Sequence, residues 1–167
     1  MNPTLTREVI SILNQAHDMT IATVREDGYP QATAVSYVND GLTIYFGCAA
    51  GSQKAKNIAR CDKVSLTVNL PYARWDEIRG LSIGGKAAAV ADRQERDRVT
   101  QLMFQKFPQL VQHLDRTLWK LKDAIWGSEY APTDTGELVL FRIKPEVISL
   151  LDYRKGFGHA DRLKVPA

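Results

Sequence analysis

MTIATVREDGYPQATAVSYVNDGLTIYFGCAAGSQKAKNIARCDKVSLTVN, residues 19–69, reads as three strand-length segments, a short helix and a fourth strand. Met19 to Arg25 is rich in β-branched residues and ends at Glu26-Asp27-Gly28, where Asp-Gly is a strong hairpin signal. Pro30 to Val38 follows, with Ala32, Ala34 and Ser36 alternating against Thr33, Val35 and Tyr37. Side chains alternate across a strand, so the small set shares one face and leaves room for something flat to lie there. Asn39-Asp40-Gly41 makes the next turn and Leu42 to Cys48 the third strand. The linkers are too short for parallel crossovers, so these strands form an antiparallel meander.

Gly51-Ser52-Gln53-Lys54 comes next and opens a helix running to Arg60, ahead of the strand Lys63–Asn69. The first turn of a helix has N–H groups without intrahelical partners and carries the positive end of the helix dipole. A Ser cap and a Lys in that turn add a hydroxyl and an ammonium, which makes the segment a candidate phosphate site.

Outward from this stretch, Thr4 to Ala16 is predicted as an amphipathic helix capped by Thr4 or Thr6, with Leu5, Val9, Ile12 and Leu13 on one face. Tyr72 to Glu77 is a loop after Pro71, and its Arg74-Trp75-Asp76-Glu77 segment reads as a surface loop or a lip over a site. Ile78 to Val90 is a long strand whose Gly84-Gly85 pair marks a bulge or a close approach of a ligand or another backbone. Asp92-Arg93-Gln94-Glu95 has capping-box spacing and opens a helical region, a helical insertion over about 92–127, broken at Phe107-Pro108. Leu110, Leu114, Leu118, Leu121 and Ile125 recur at helical spacing as a packing face for the core or a dimer. Glu137 to Leu151 is the last strand, and the polar tail from Asp152 reads as mobile. The expected architecture is mainly β with α (α+β): a six-stranded antiparallel β-barrel, closed or split, with flanking helices, one domain over residues 1–167. No Gly-x-Gly-x-x-Gly follows a strand, which removes the usual nicotinamide-binding reading.

Composition narrows the function further. A net charge of +3, with basic and acidic residues interleaved, gives no electrostatic footprint for nucleic acid. No apolar run approaches a membrane span and the N-terminus lacks the layout of a signal peptide, so a cytoplasmic protein with no membrane partner is expected. Two cysteines, Cys48 and Cys61, make no Cys-x-x-Cys pattern, and His17, His113 and His159 show no ligand spacing, so no metal site is expected. Cys48 reads as a small strand residue rather than a nucleophile, because nothing near it in sequence supplies a base.

The order strand–Asp-Gly–strand–turn–strand, then Gly-Ser-x-Lys-Ala opening a helix, then Lys-Val-Ser-Leu on a strand, resembles the pyridoxamine 5′-phosphate oxidase-like proteins. The match covers most of Ile21 to Val90, and the terminal strand Leu138–Leu151 fits as well. These are FMN-binding split barrels that work as homodimers. The resemblance implies FMN at the dimer interface, its phosphate held by Ser52 and Lys54 with Gln53 between them. It implies a flavin edge resting on Thr33, Ala34, Val35 and Ser36, close to Gly47 and Cys48. Arg79 is implied as a further phosphate or ring contact near the partner subunit. Oxidases of the vitamin itself carry Arg where this chain has Gln53, and an Arg and a Lys along the second strand where it offers Thr33 and Ser36. Fewer cations argue against pyridoxamine phosphate as the substrate. The expected function is therefore an FMN-dependent oxidoreductase acting on a small-molecule substrate or electron donor. The alternatives are a flavin-binding or storage module tied to stress, or a relative binding deazaflavin or haem, the last through His17, His113 or His159.

Overall fold

The computed structural model describes residues 2–109 and 138–166. Helix α1 (Pro3–Gln15) precedes strands β1 (Asp18–Val24), β2 (Pro30–Ser36), β3 (Val38–Asp40) and β4 (Thr43–Ala49). Helix α2 (Gln53–Arg60), β5 (Lys63–Asn69), β6 (Arg79–Ala89), helix α3 (Arg93–Lys106), β7 (Leu138–Asp152) and β8 (Ala160–Lys164) follow. The second half of the expected helical insertion, with its leucine series, falls outside the described residues.

All strands are antiparallel and form one eight-stranded sheet in the order β2-β1-β5-β6-β7-β4-β3, with β8 also paired to β7. The sheet curls into the expected split barrel, with eight strands among the described residues rather than six. The first extra strand is β3. Tyr37 is already buried and donates its backbone N–H to the His17 carbonyl, so the chain leaves β2 one residue after Ser36 and re-pairs with β4. The second is β8, in the tail expected to be mobile: residues 160–164 lie against β7 from Leu151 back to Val147, and Leu163 is buried. Arg162 and Lys164 on either side of Leu163 are exposed, which is why composition alone made the tail look unstructured.

Alternation sets the interior. Val64, Leu66 and Val68 of β5 point inward, as do Met19, Ile21 and Thr23 of β1, and the intervening residues face out. The apolar face of α1 closes one end of the barrel, with Val9, Ile12 and Leu13 fully buried. Its cap is Asn2, not Thr4 or Thr6: the Asn2 carboxamide accepts from the N–H groups of Thr4 and Leu5, and Pro3 sits in the first turn, where its missing donor costs nothing. Gly28 (φ 83) and Gly41 (φ 58) adopt the left-handed conformation that both hairpin turns require.

Helix α3 begins at Asp92, whose carboxylate accepts from the Glu95 N–H, and ends at Phe107 ahead of Pro108. It packs Val99 and Phe107 against Val38, Tyr45 and Val90. A polar lattice aligns it: Arg142 of β7 grips Glu95 at 2.7 and 3.0 Å, Tyr45 donates its hydroxyl to the same carboxylate at 2.9 Å, and Arg98 reaches Asp40.

Candidate functional site

Ser52 is the N-cap of α2. Its Oγ accepts from the Ala55 N–H at 3.4 Å and donates to the Cys48 sulfur at 3.5 Å. The N–H groups of Gln53 and Lys54 have no acceptor among the described residues, and the first turn holds no acidic side chain to neutralise it. Lys54 is half-buried and forms no ion pair among those residues. Arg60, by contrast, is committed to the Val24 and Arg25 carbonyls at 2.8 and 2.6 Å. The head of α2 therefore offers one uncommitted ammonium, one hydroxyl and two backbone donors, a set suited to an oxyanion.

A cavity of about 880 Å³ lies at the split between β2 and β4, walled on its far side by α3 and β7. Val35, Ser36 and Gly47 line it, with Phe46, Met103 and Phe107 supplying apolar wall. Ala50 also lines the cavity, two residues before Ser52, so the first turn of α2 stands beside it. At the opposite end His17 packs its ring edge-on against Phe107 at 5.7 Å, and the Ser36 hydroxyl donates to Asp18 at 2.6 Å.

Of the site residues expected from the sequence, one chain brings Val35, Ser36 and Gly47 to the cavity and Ser52, Gln53 and Lys54 to its neighbouring helix head. Thr33 is half-buried opposite Ile21, whereas Ala34 is exposed on the outer face of β2 together with Ala32. Cys48 is buried behind Ser52. Arg79 is not with the others: it pairs with Asp152 at the start of β6, eight residues before Ala87, the part of β6 that faces α2. That is roughly 26 Å along the strand.

Gln53 is exposed, yet its side chain is tied to its own helix. Its side-chain amide donates to Asn57 Oδ1 at 2.9 Å. Asn57, 2% exposed, in turn donates to Thr23 at 2.9 Å and Gln31 at 3.1 Å, tying α2 to β1 and β2. Sequence reasoning passed over Thr23, Gln31 and Asn57. Their signal was a polar residue four positions after Gln53 on the helix and two polar residues at inward positions of adjacent strands.

Among the described residues no group of three or more His, Cys, Asp or Glu is arranged for a metal ion, and no helix is long and apolar enough to cross a membrane.

Fold and site together define an antiparallel split barrel in which a helix head with two N–H groups unpaired among the described residues stands beside a cavity of about 880 Å³. The family model for pyridoxamine 5′-phosphate oxidase matches residues 5–151, and the chain belongs to that family. Among solved structures it is similar to a conserved hypothetical protein from Mycobacterium tuberculosis, at 26% identity and TM-score 0.69, over 100% of this chain and 93% of that one. General stress protein 26 from Bacillus anthracis matches at 16% identity and TM-score 0.63, over 96% of this chain and 98% of its own. HutZ, the haem storage protein from Vibrio cholerae, matches at 17% identity and TM-score 0.61, over 84% of this chain and 89% of its own. No curated protein matches the chain in sequence.

Proposed function

We propose that the protein is a cytoplasmic, homodimeric FMN-binding oxidoreductase acting on a small molecule. The observation that carries this reading is the uncommitted Lys54, with the Ser52 hydroxyl beside it, at the head of α2, next to the cavity at the β2–β4 split. Ser52, Lys54 and the N–H groups of Gln53 and Lys54 would hold the phosphate, and Val35, Ser36 and Gly47 would bear on the ring. Bound FMN supplies the hydride- or electron-transfer chemistry. The chain's own residues position it: apolar Phe46, Met103 and Phe107 exclude water, and the Asp18-bound Ser36 hydroxyl marks the polar end of the cavity. Support for a dimer comes from β2, an edge strand whose outer face exposes Ala32 and Ala34. A second copy is also what would bring Arg79 to a cofactor held by Ser52.

The test is the absorbance spectrum of the purified protein, followed by FMN titration and reduction by nicotinamide cofactors. Flavin bands and tight binding are expected; a colourless protein with no FMN affinity would sink the reading. Bound FMN that no donor reduces would instead favour a storage role. The second reading is haem binding, favoured by one observation: His17 lines the cavity. A Soret band lost in His17→Ala would support it over the flavin.

A further inference from the structure

The amide lattice beneath α2 has a chemical direction. Asn57 Nδ2 has two hydrogens, one given to Thr23 Oγ1 at 2.9 Å and the other to Gln31 Oε1 at 3.1 Å. Asn57 Oδ1 is taken by Gln53 Nε2 at 2.9 Å. Gln31 therefore accepts from Asn57 with its oxygen, and its side-chain NH2 group has no acceptor among the described residues. Lys54 precedes Asn57 by three residues, so the two side chains are neighbours on the helix surface, with Lys54 one turn nearer the helix head.

We propose that Gln31 is a further contact to the ligand's phosphate, a neutral donor beside Lys54, and that buried Asn57 is the positioning residue that fixes which end of the Gln31 amide faces the anion. This rests on the flavin-phosphate reading and deepens it. The anion site then holds one full charge, from Lys54, supplemented by neutral donors from Gln31, Ser52 and the backbone. Gln53 contributes its backbone N–H, one of the two hydrogens of its side-chain amide being given to Asn57. A lattice that served only to fasten α2 to the barrel would affect every ligand alike. A lattice that orients a phosphate donor affects only ligands that carry the phosphate.

FMN and riboflavin share a ring and differ by that phosphate, so titrating both into purified wild type, Gln31→Met, Gln31→Glu and Asn57→Asp separates the two. Gln31→Met should weaken FMN about tenfold while riboflavin stays within about twofold, the usual effect of losing one donor to a charged group. Gln31→Glu should weaken FMN further, because a carboxylate can accept from Asn57 but repels the phosphate. Asn57→Asp replaces the inward donor by an acceptor, so Gln31 must turn over and present its oxygen, again costing FMN and not riboflavin. Should the buried carboxylate prevent folding, the two variants at half-exposed Gln31 still decide. An unchanged FMN-to-riboflavin affinity ratio in Gln31→Met, in a wild type that binds FMN, overturns this proposal alone. A wild type that binds neither ligand overturns the flavin reading and this proposal with it.

Discussion

The Nε atom of Arg79 lies 3.5 Å from Oδ2 of Asp152, a carboxylate with no exposed surface. Arg154 forks onto the same carboxylate with bonds of 2.9 and 2.7 Å. Two guanidinium groups thus converge on one buried anion where β6 begins and β7 ends. Arg79, which the family resemblance assigns to a cofactor, is held in place by its own chain.

The Asp152 carboxyl is held below the usual carboxylate range, first by the Arg154 hydrogen bond and also by the Arg79 charge. A carboxyl with a depressed folded-state pKa stabilises the protein above its unfolded value, about 4, and that contribution is lost as pH falls through the folded value. Asp152→Asn should cost about 2 kcal/mol at neutral pH, less than a wholly buried pair because Arg154 is half exposed. Melting temperatures from about pH 7 down to about pH 3 should fall less steeply in the variant than in wild type.

Gly84 and Gly85 straddle the register shift between β6 and β7. A Cβ on Gly85 would stand 2.5 Å from the Lys144 carbonyl and 3.0 Å from the Pro145 Cα, backbone atoms that cannot turn aside. On Gly84 it would meet only the Val147 side chain, at 3.2 Å. Gly85→Ala should therefore cost about 2–3 kcal/mol and Gly84→Ala under about 1 kcal/mol in urea unfolding. Equal losses would contradict this assignment of the bulge.

Lys106 donates to the Leu13 carbonyl at 2.9 Å and sits 3.8 Å over the Tyr37 ring, and burial pushes its pKa down to about 8. A lysine depressed on folding binds fewer protons in the native state, so stability should rise with pH between about 8 and about 10. Above that window the buried Tyr37 hydroxyl, whose pKa is pushed up, acts in the opposite sense. Thermal unfolding at stepped pH should show the rise in wild type and a flat response in Lys106→Met.

Lys54→Ala should weaken FMN by ten- to a hundredfold, in a salt-dependent way, and leave melting within about 0.5 kcal/mol of wild type. Ser52→Ala should do both: it removes a phosphate donor and the cap of α2, costing about 1 kcal/mol of stability. Paired titration and unfolding curves would separate binding from capping.

Local chemistry made much of the barrel legible. Asp27-Gly28 and Asp40-Gly41 specify turns, Val64, Leu66 and Val68 specify an inward face, and Ser52 specifies a cap. Each signal lies within a few residues of what it determines. The strands β3 and β8 were not legible, because both are short and depend on a partner, β4 or β7, to supply their hydrogen bonds. Asn2 prevailed over two threonines as a cap because Pro3 suits only the first helical turn.

The site divides along the same line. The sequence by itself determined the capped, basic head of α2, since a cap, a lysine and free N–H groups are properties of one turn of chain. Only the tertiary structure decided that Val35, Ser36 and Gly47 face a cavity with α3 behind it, and that Ala34 does not. It alone placed Arg79 on Asp152, and it alone joined Gln53, Asn57, Thr23 and Gln31 into one lattice. Those relationships depend on strand register and on which buried donors find acceptors across the fold, and neither is encoded in any single segment.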